Sequence, residues 1–252
     1  MGLSKDMLDN SDQNVVIGPK SRERIVSALL ICAQLNVAPS EICAKYEATN
    51  FANSSISKLD TFLQILKDKS ISREFSEYAN LRLGNSDLAT HRDVRSSVEY
   101  ATELITGWIV EDAFVKWLGG LGLECELKGN DSSRELLTSA SMISTKPDIH
   151  LTRSNRFIEL IADYHDYWHK NRRCHLRNDK YRNLVEEQAV LIGISQHGIH
   201  LIDFNDSEVL SRIDQLAVYI SKHKPYGNKP AWEIQFSQPL ELETVAERLL
   251  LL

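Results

Sequence analysis

The chain has few cysteines, no long apolar run and no excess of positive charge. Its four cysteines, among 252 residues, are widely spaced and form no Cys-x-x-Cys pair. That pattern argues against a zinc site and for free thiols in a reducing cytoplasm. No apolar stretch approaches the roughly 20 residues that a membrane-spanning helix needs. The net charge is −6, so binding to nucleic acid would have to depend on a local basic patch.

Several common catalytic signatures are also missing. The chain contains no GxGxxG, no Walker loop, no GxSxG and no HExxH, so it gives no support to a dinucleotide-binding protein, a P-loop enzyme, an α/β-hydrolase or a zincin. What is present is the composition of an ordinary globular protein, 42% hydrophobic and 25% charged. This length accommodates one large domain or two small ones.

Apolar periodicity divides the chain into two parts. Residues 1–95 are predicted to form a helical subdomain for dimerisation or DNA contact, because apolar residues recur at helical spacing near 21–35 and 56–67. Two such helices resemble a helix-turn-helix, but no basic residues mark a recognition helix, which favours plain helical packing. Residues 96–252 are predicted to form an α/β core with a C-terminal extension.

The order of elements in the second part can be predicted from its periodicity and its turns. We expect a helix over about 95–118, a strand near 121–127 and a loop over 129–145. A hairpin follows, with strands at about 148–152 and 156–164. Then come a helix at 179–188, a buried strand at 189–194, a strand at 199–204 and a helix at 207–222.

The hairpin carries the candidate catalytic acids. With Ser154-Asn155 at the tip of the turn, Asp148 lies opposite Ile161. Glu159 and Asp163 are then both diagonal neighbours of Asp148, about 7–8 Å away, and this geometry does not choose between them. Two carboxylates at that spacing can hold a divalent cation.

Side-chain chemistry favours Asp163 as the second ligand. His165 lies two residues beyond Asp163 on the same face of the predicted strand, and an imidazole can orient or deprotonate water. The corresponding neighbour of Glu159 is an isoleucine, which can do neither. We therefore expect Asp148 and Asp163 to bind the metal, with His165 beside them and Glu159 as the fallback ligand or a supporting group.

These residues resemble the PD-(D/E)xK nuclease superfamily, which includes most type II restriction endonucleases. Pro147-Asp148 matches the first acid, Asp163-Tyr164-His165 the second part of the motif, and Glu111 the acid on the preceding helix. The predicted order of elements from about 95 to 205 also fits the family's core, in which helices flank a central mixed sheet. The family's lysine is replaced here by His165, or by Ile161 if Glu159 is the acid. Lys170 is a further candidate for the positive charge.

The resemblance implies a Mg²⁺-dependent, sequence-specific endonuclease that cuts double-stranded DNA, with Mn²⁺ able to substitute. It further implies a cytoplasmic homodimer in a prokaryote, with a partner methyltransferase. A repair or junction-resolving nuclease, or an inactive DNA-binding protein of the same fold, are the alternatives.

A basic run after the hairpin is the predicted DNA contact. Between Asp166 and Arg182 the chain has six Lys and Arg residues against two Asp, with aromatic residues interleaved. Such a segment suits contacts with phosphates and base edges. The predicted DNA-binding residues are Lys170, Arg172, Arg173, His175, Arg177, Lys180 and Arg182.

Overall fold

The computed structural model of the chain describes residues 19–38, 97–128, 146–236 and 238–252. Most of the predicted helical subdomain, including its helix at 56–67, and the predicted loop at 129–145 lie outside these ranges. Within these ranges two helices precede the first strand, α1 (Pro19–Gln34) and α2 (Ser97–Gly120).

A mixed five-stranded sheet forms the centre of the described molecule. Its order is β1-β2-β3-β5-β6. The strand β3 pairs in parallel with β5, and the other neighbours are antiparallel. The predicted α/β class with a mixed central sheet and helices is therefore confirmed. The five strands are β1 (Cys125–Leu127), β2 (Ile149–Leu151), β3 (Arg156–Ala162), β5 (Val190–Ser195) and β6 (Gly198–Asp203).

Two short elements separate β3 from the helix that leads into β5. These are α3 (Tyr167–Asn171) and β4 (Arg173–Arg177), and the helix itself is α4 (Asn178–Glu186). After β6 the chain continues through α5 (Ser207–Ser211) and α6 (Ile213–Leu216). The remaining elements are β7 (Ala217–His223), a 3₁₀ turn (Lys224–Tyr226), β8 (Lys229–Gln235) and α7 (Leu242–Leu250).

A second, three-stranded sheet has the order β4-β8-β7. It corrects the prediction of one helix over 207–222, because the helices end at Leu216 and residues 217–223 form a strand. Val218, Tyr219 and Ile220 have high β propensity, and β8 supplies their antiparallel partner. That partner lies further along the chain, so local periodicity did not indicate it.

Two hydrophobic cores lie on opposite faces of the central sheet. On one face, α1 and α2 pack against Ile149, Ile158 and Ile192. On the other face, α4 and the second sheet pack around Leu191. The strand β5 is buried along its whole length, which confirms the prediction from its apolar run.

Gly193 is required by the packing of Trp168 on β5. A Cβ atom added to Gly193 would lie 2.1 Å from the Trp168 ring. We expect Gly193→Ala to lower the free energy of unfolding by about 1–3 kcal/mol through overpacking. Urea unfolding measures this. Gly107→Ala is the matched control, since Gly107 lies within α2 with no atom within 4 Å of its added Cβ. It should be neutral or stabilising, and an equal loss in both variants would contradict the packing argument.

Candidate active site

The register of the hairpin places Asp148 beside Glu159. Ile149 pairs with Ile158 and Leu151 with Arg156, so the turn consists of residues 152–155. The predicted register, with Asp148 opposite Ile161, was therefore wrong by two residues. Continued by one position, the observed register sets Asp148 opposite Glu159, where side chains share a face about 5 Å apart at Cβ.

The four-residue turn explains the shift. Asn155 adopts a left-handed backbone with φ of 54°, a conformation that asparagine tolerates better than most residues. Its Oδ1 lies 3.0 Å from Nε2 of His150 on β2. The His150 ring also stacks on Phe157, with ring centroids 4.7 Å apart. These contacts stabilise the observed pairing of β2 with β3.

Asp148, Glu159 and Lys180 form one charged cluster. Nζ of Lys180 lies 2.7 Å from Oε2 of Glu159 and 4.0 Å from Oδ1 of Asp148. The other Asp148 oxygen, Oδ2, accepts a hydrogen bond of 3.1 Å from the backbone N–H of Leu160. The Glu159 side chain is only 6% exposed, whereas those of Lys180 and Asp148 are 18% and 22% exposed. Solvent therefore reaches the cluster through Asp148 and Lys180.

Electrostatics in the cluster favour additional positive charge. Burial, reinforced by the neighbouring Asp148 carboxylate, raises the pKa of Glu159 well above its usual range, although Lys180 partly opposes this. Burial alone would lower the pKa of Lys180, but the carboxylates of Glu159 and Asp148 outweigh burial and raise that pKa. The Lys180 ammonium group thus faces two carboxyl groups, and a metal cation that binds both carboxyl groups would add positive charge to the cluster.

The carboxylate pair fits a magnesium ion. Mg²⁺ is commonly held by one or two protein carboxylates and completes its shell with water and substrate phosphate oxygens. Asp148 and Glu159 supply two such groups, one of them reachable from solvent. Within the ranges that the structure covers, no group of three or more His, Cys, Asp or Glu residues is arranged to hold a metal ion. The fit therefore depends on the substrate and water as further ligands.

Asp163 performs a structural task. The strand β3 ends at Ala162 and not near 164, so Asp163 follows the strand. Its Oδ1 accepts the N–H of Tyr167 at 2.9 Å, and its Oδ2 accepts the N–H of Trp168 at 2.7 Å. It thus satisfies donors at the start of α3, which carries Trp168 onto the sheet. Asp163 also lies four residues past Glu159, about 13 Å along extended chain.

His165 and Glu111 lie with the N-terminal helices. The His165 side chain is 56% exposed, and its Nδ1 is 4.0 Å from Oε1 of Glu23 on α1. The Glu111 charge acts on Tyr164, whose pKa burial raises to about 12 and Glu111 shifts slightly further upward. Helix α2 packs on the sheet face of Ile158, whereas Glu159, one residue along β3, projects to the other face. The structure therefore does not bring Glu111 to the carboxylate pair.

The predicted DNA-binding residues are distributed over three elements. Arg173 and His175 on β4 both contact Glu233 at 3.2 Å, and Arg177 lies 3.3 Å from Asp179. Lys180 belongs to the charged cluster. The other predicted residues, Lys170, Arg172 and Arg182, are partly or fully exposed on α3, its C-terminal cap and α4.

The role of Lys180 was missed from the sequence, where it appeared only as one member of a basic run. The available signal was weak, namely a lysine in the first turn of the helix that precedes the buried strand β5.

Comparisons with protein-family models, curated proteins and solved structures find no match to this chain. Among the described helices, none combines the length and apolar character needed to cross a membrane. The chemistry of the charged cluster is therefore the basis for a functional proposal.

Proposed function

We propose that this protein is a Mg²⁺-dependent endonuclease that hydrolyses phosphodiester bonds in DNA, with Asp148, Glu159 and Lys180 at its active site. The observation that carries the proposal is the contact of two carboxyl groups, on neighbouring strands, with one lysine from α4. Hydrolysis of a phosphodiester needs a cation beside the scissile phosphate and a positioned water molecule, and this trio can provide for both.

Each residue has a distinct role in the proposed reaction. Asp148 and Glu159 hold Mg²⁺ or Mn²⁺, and the backbone N–H of Leu160 orients the Asp148 carboxylate. The bound ion would lower the pKa of a water molecule and offset charge on the phosphate. Because its pKa is raised, Lys180 stays protonated at neutral pH. It therefore donates hydrogen bonds to the attacking water or the phosphate and does not act as a general base.

The family resemblance supports the same trio with a changed assignment. Glu159 takes the place of the second acid, and Lys180 supplies the charge that Ile161, two residues beyond Glu159, lacks. From α2 to β5 the chain forms one helix, three strands, the short elements α3 and β4, and then a helix and a strand. Apart from the inserted α3 and β4, this is the order of elements that the resemblance implies for the core. A lysine at the site weakens the case for an inactive DNA-binding protein.

Cleavage of DNA is tested on mixed-sequence plasmid and on branched DNA, each with Mg²⁺, Mn²⁺ or EDTA. Discrete fragments that depend on the metal would identify a sequence-specific enzyme, which the resemblance implies would act as a homodimer. Nicking confined to forks or junctions would identify a repair or junction-resolving nuclease. Binding of DNA without any cutting under these conditions would contradict the proposal and favour the inactive protein.

His165→Ala distinguishes the two assignments of the site. We expect the variant to cut DNA at a rate within about twofold of the unchanged protein, because surface substitutions away from the site change free energies by about 0.5 kcal/mol. The measurement is the single-turnover cleavage rate under saturating Mg²⁺. A large loss of cleavage rate, with the melting temperature unchanged, would support the assignment of His165 to the catalytic site.

A further inference from the structure

The three-stranded sheet carries a concentration of positive charge. Together with its 3₁₀ turn it has five Lys and Arg residues and only one acidic residue, Glu233, in a chain whose net charge is −6. The arginines of β4 are already engaged by Glu233 and Asp179. The remaining cations lie on the β7–β8 hairpin.

We define the hairpin patch as Tyr219, Lys222, Lys224 and Lys229. All four residues are exposed. Within the described ranges, none of the three lysines forms an ion pair with an acidic residue. The strand β7 is at the edge of its sheet, since the order is β4-β8-β7. Lys224 lies in the 3₁₀ turn, with Lys222 and Lys229 on either side of it, so the patch presents unpaired positive charge at the tip of the hairpin and an aromatic ring further along β7.

The Tyr219 ring is held from one side by a column of aromatic side chains. The Tyr219 and Trp232 rings make an edge-type contact with centroids 5.3 Å apart, and Trp232 stacks on Tyr181 at 4.4 Å. A hydrogen bond of 2.9 Å from Nε1 of Trp232 to Oδ1 of Asn178 fixes the middle ring. Tyr219 nevertheless remains 52% exposed. A supported ring with half its surface in solvent is suited to stacking against a planar group.

The column also connects the patch to the proposed active site. Tyr181 is adjacent in sequence to Lys180, and both belong to α4. A DNA strand bound along the hairpin would therefore contact β7 and β8. These strands pack, through Trp232, on α4, the helix that supplies Lys180.

We propose that the hairpin patch binds a single-stranded segment of DNA, with the three lysines on phosphates and Tyr219 stacked on a base. Lysines that follow a backbone, beside an aromatic stacking platform, are the features that single-strand binding uses. Inside a duplex the bases are stacked on one another, so a surface tyrosine reaches only an unpaired base. The link to cleavage rests on the proposed function and names its substrate class as DNA with an unpaired region, whereas the binding itself does not depend on catalysis.

The test is fluorescence anisotropy of the full chain in EDTA, so that no cutting occurs. The probes are labelled oligo(dT) longer than about 16 nucleotides, the upper site size of small single-strand-binding folds, and a duplex of equal length. We expect oligo(dT) to bind more tightly than the duplex. Tyr219→Leu should weaken oligo(dT) binding about tenfold, whereas Tyr219→Phe should bind normally, because only the aromatic ring is needed. Leucine retains apolar contact with Trp232, so thermal melting confirms that the fold is preserved.

Salt dependence tests the lysines separately. Replacing Lys222, Lys224 and Lys229 together by Gln should reduce the slope of log K against log salt by about 2, since each contact with a single strand contributes about 0.7. Lys20→Gln, an exposed lysine of α1, is the control and should leave the slope unchanged.

Two outcomes would contradict the proposal that the hairpin patch binds single-stranded DNA. One is failure of oligo(dT) to bind, and the other is equal binding by the unchanged chain, Tyr219→Leu and the triple variant. Either result can occur while plasmid is still cut, so failure of the patch is distinguishable from failure of the endonuclease proposal.

Discussion

Glu159→Gln is expected to abolish metal-dependent DNA cleavage and at the same time to stabilise the metal-free protein at neutral pH. This is the result expected if Glu159 is a metal ligand kept in an unfavourable charged environment. The substitution removes one ligand of the cation, and several kcal/mol of transition-state stabilisation depend on that ion. The single-turnover rate should therefore fall at least about a hundredfold. Asp148→Asn should lose cleavage in the same way while retaining the acceptor for the Leu160 N–H.

The stability effect follows from the direction of the Glu159 pKa shift. Because its pKa in the folded state is raised above the ordinary value of 4.5, folding is favoured by this group below pH 4.5. That contribution is lost as the pH rises through the raised value. Gln cannot ionise, and Lys180 keeps the Asp148 carboxylate as a partner. The variant should therefore exceed the unchanged protein in unfolding free energy by on the order of 1 kcal/mol at neutral pH, and the difference should shrink toward pH 4.

Urea unfolding in EDTA at several pH values measures this difference. Glu186→Gln is the matched control, because Glu186 is an exposed acid at the end of α4. It should change neither cleavage nor the pH profile. A Glu159→Gln variant that is less stable than the parent at neutral pH, or that still cuts DNA, would contradict the assignment.

Lys180→Met should produce the largest loss of stability that we expect. It leaves the Asp148 and Glu159 carboxyl groups without their ammonium partner, and breaking a buried ion pair from one side costs about 3–5 kcal/mol. The loss should be greatest at neutral to alkaline pH and smaller in acid, where protonation of Glu159 relieves the repulsion. Cleavage should also be lost, because the variant lacks the ammonium group that contacts both acids.

A double-mutant cycle separates the energy of the interaction between Lys180 and Glu159 from a general destabilisation of α4. Combining Lys180→Met with Glu159→Gln should recover most of the stability that Lys180→Met loses, since the buried Glu159 charge is then absent and only the more exposed Asp148 carboxylate remains. Lys180→Arg retains the charge and should preserve most of the stability. If the effects of the two substitutions simply add, Lys180 and Glu159 do not interact energetically as their 2.7 Å separation implies.

Local sequence patterns predicted the strands of the central sheet well, because short runs of neighbouring residues mark those strands and their turn. The apolar run of β5 indicated a strand buried on both faces, and the polar residues after Leu151 indicated a hairpin turn. The prediction of the hairpin register failed at one physical detail. The turn is centred one residue earlier than expected, between residues 153 and 154, and this shifts the register by two residues, which moves Asp148 from the position opposite Ile161 to the position opposite Glu159.

The remaining features depend on contacts between distant parts of the chain. Lys180 on α4 contacts Glu159 on β3 although α3 and β4 lie between these elements in the chain, so sequence spacing did not indicate their contact. Likewise, residues 217–223 form the strand β7 because they pair with β8, and β8 comes only after the 3₁₀ turn in the chain. The hydrogen bonds that Asp163 accepts from the start of α3 could not be predicted without knowing that β3 stops at Ala162.

A crystal of the protein soaked in Mn²⁺, with the anomalous scattering of the metal recorded, tests the active-site assignment most directly. We expect one Mn²⁺ peak between the carboxylates of Asp148 and Glu159, at oxygen–metal distances near 2.2 Å, with Lys180 no longer in contact with both acids. A peak on Asp163 and His165, or an unbroken contact of Lys180 with an ion-free pair at saturating Mn²⁺, would contradict it.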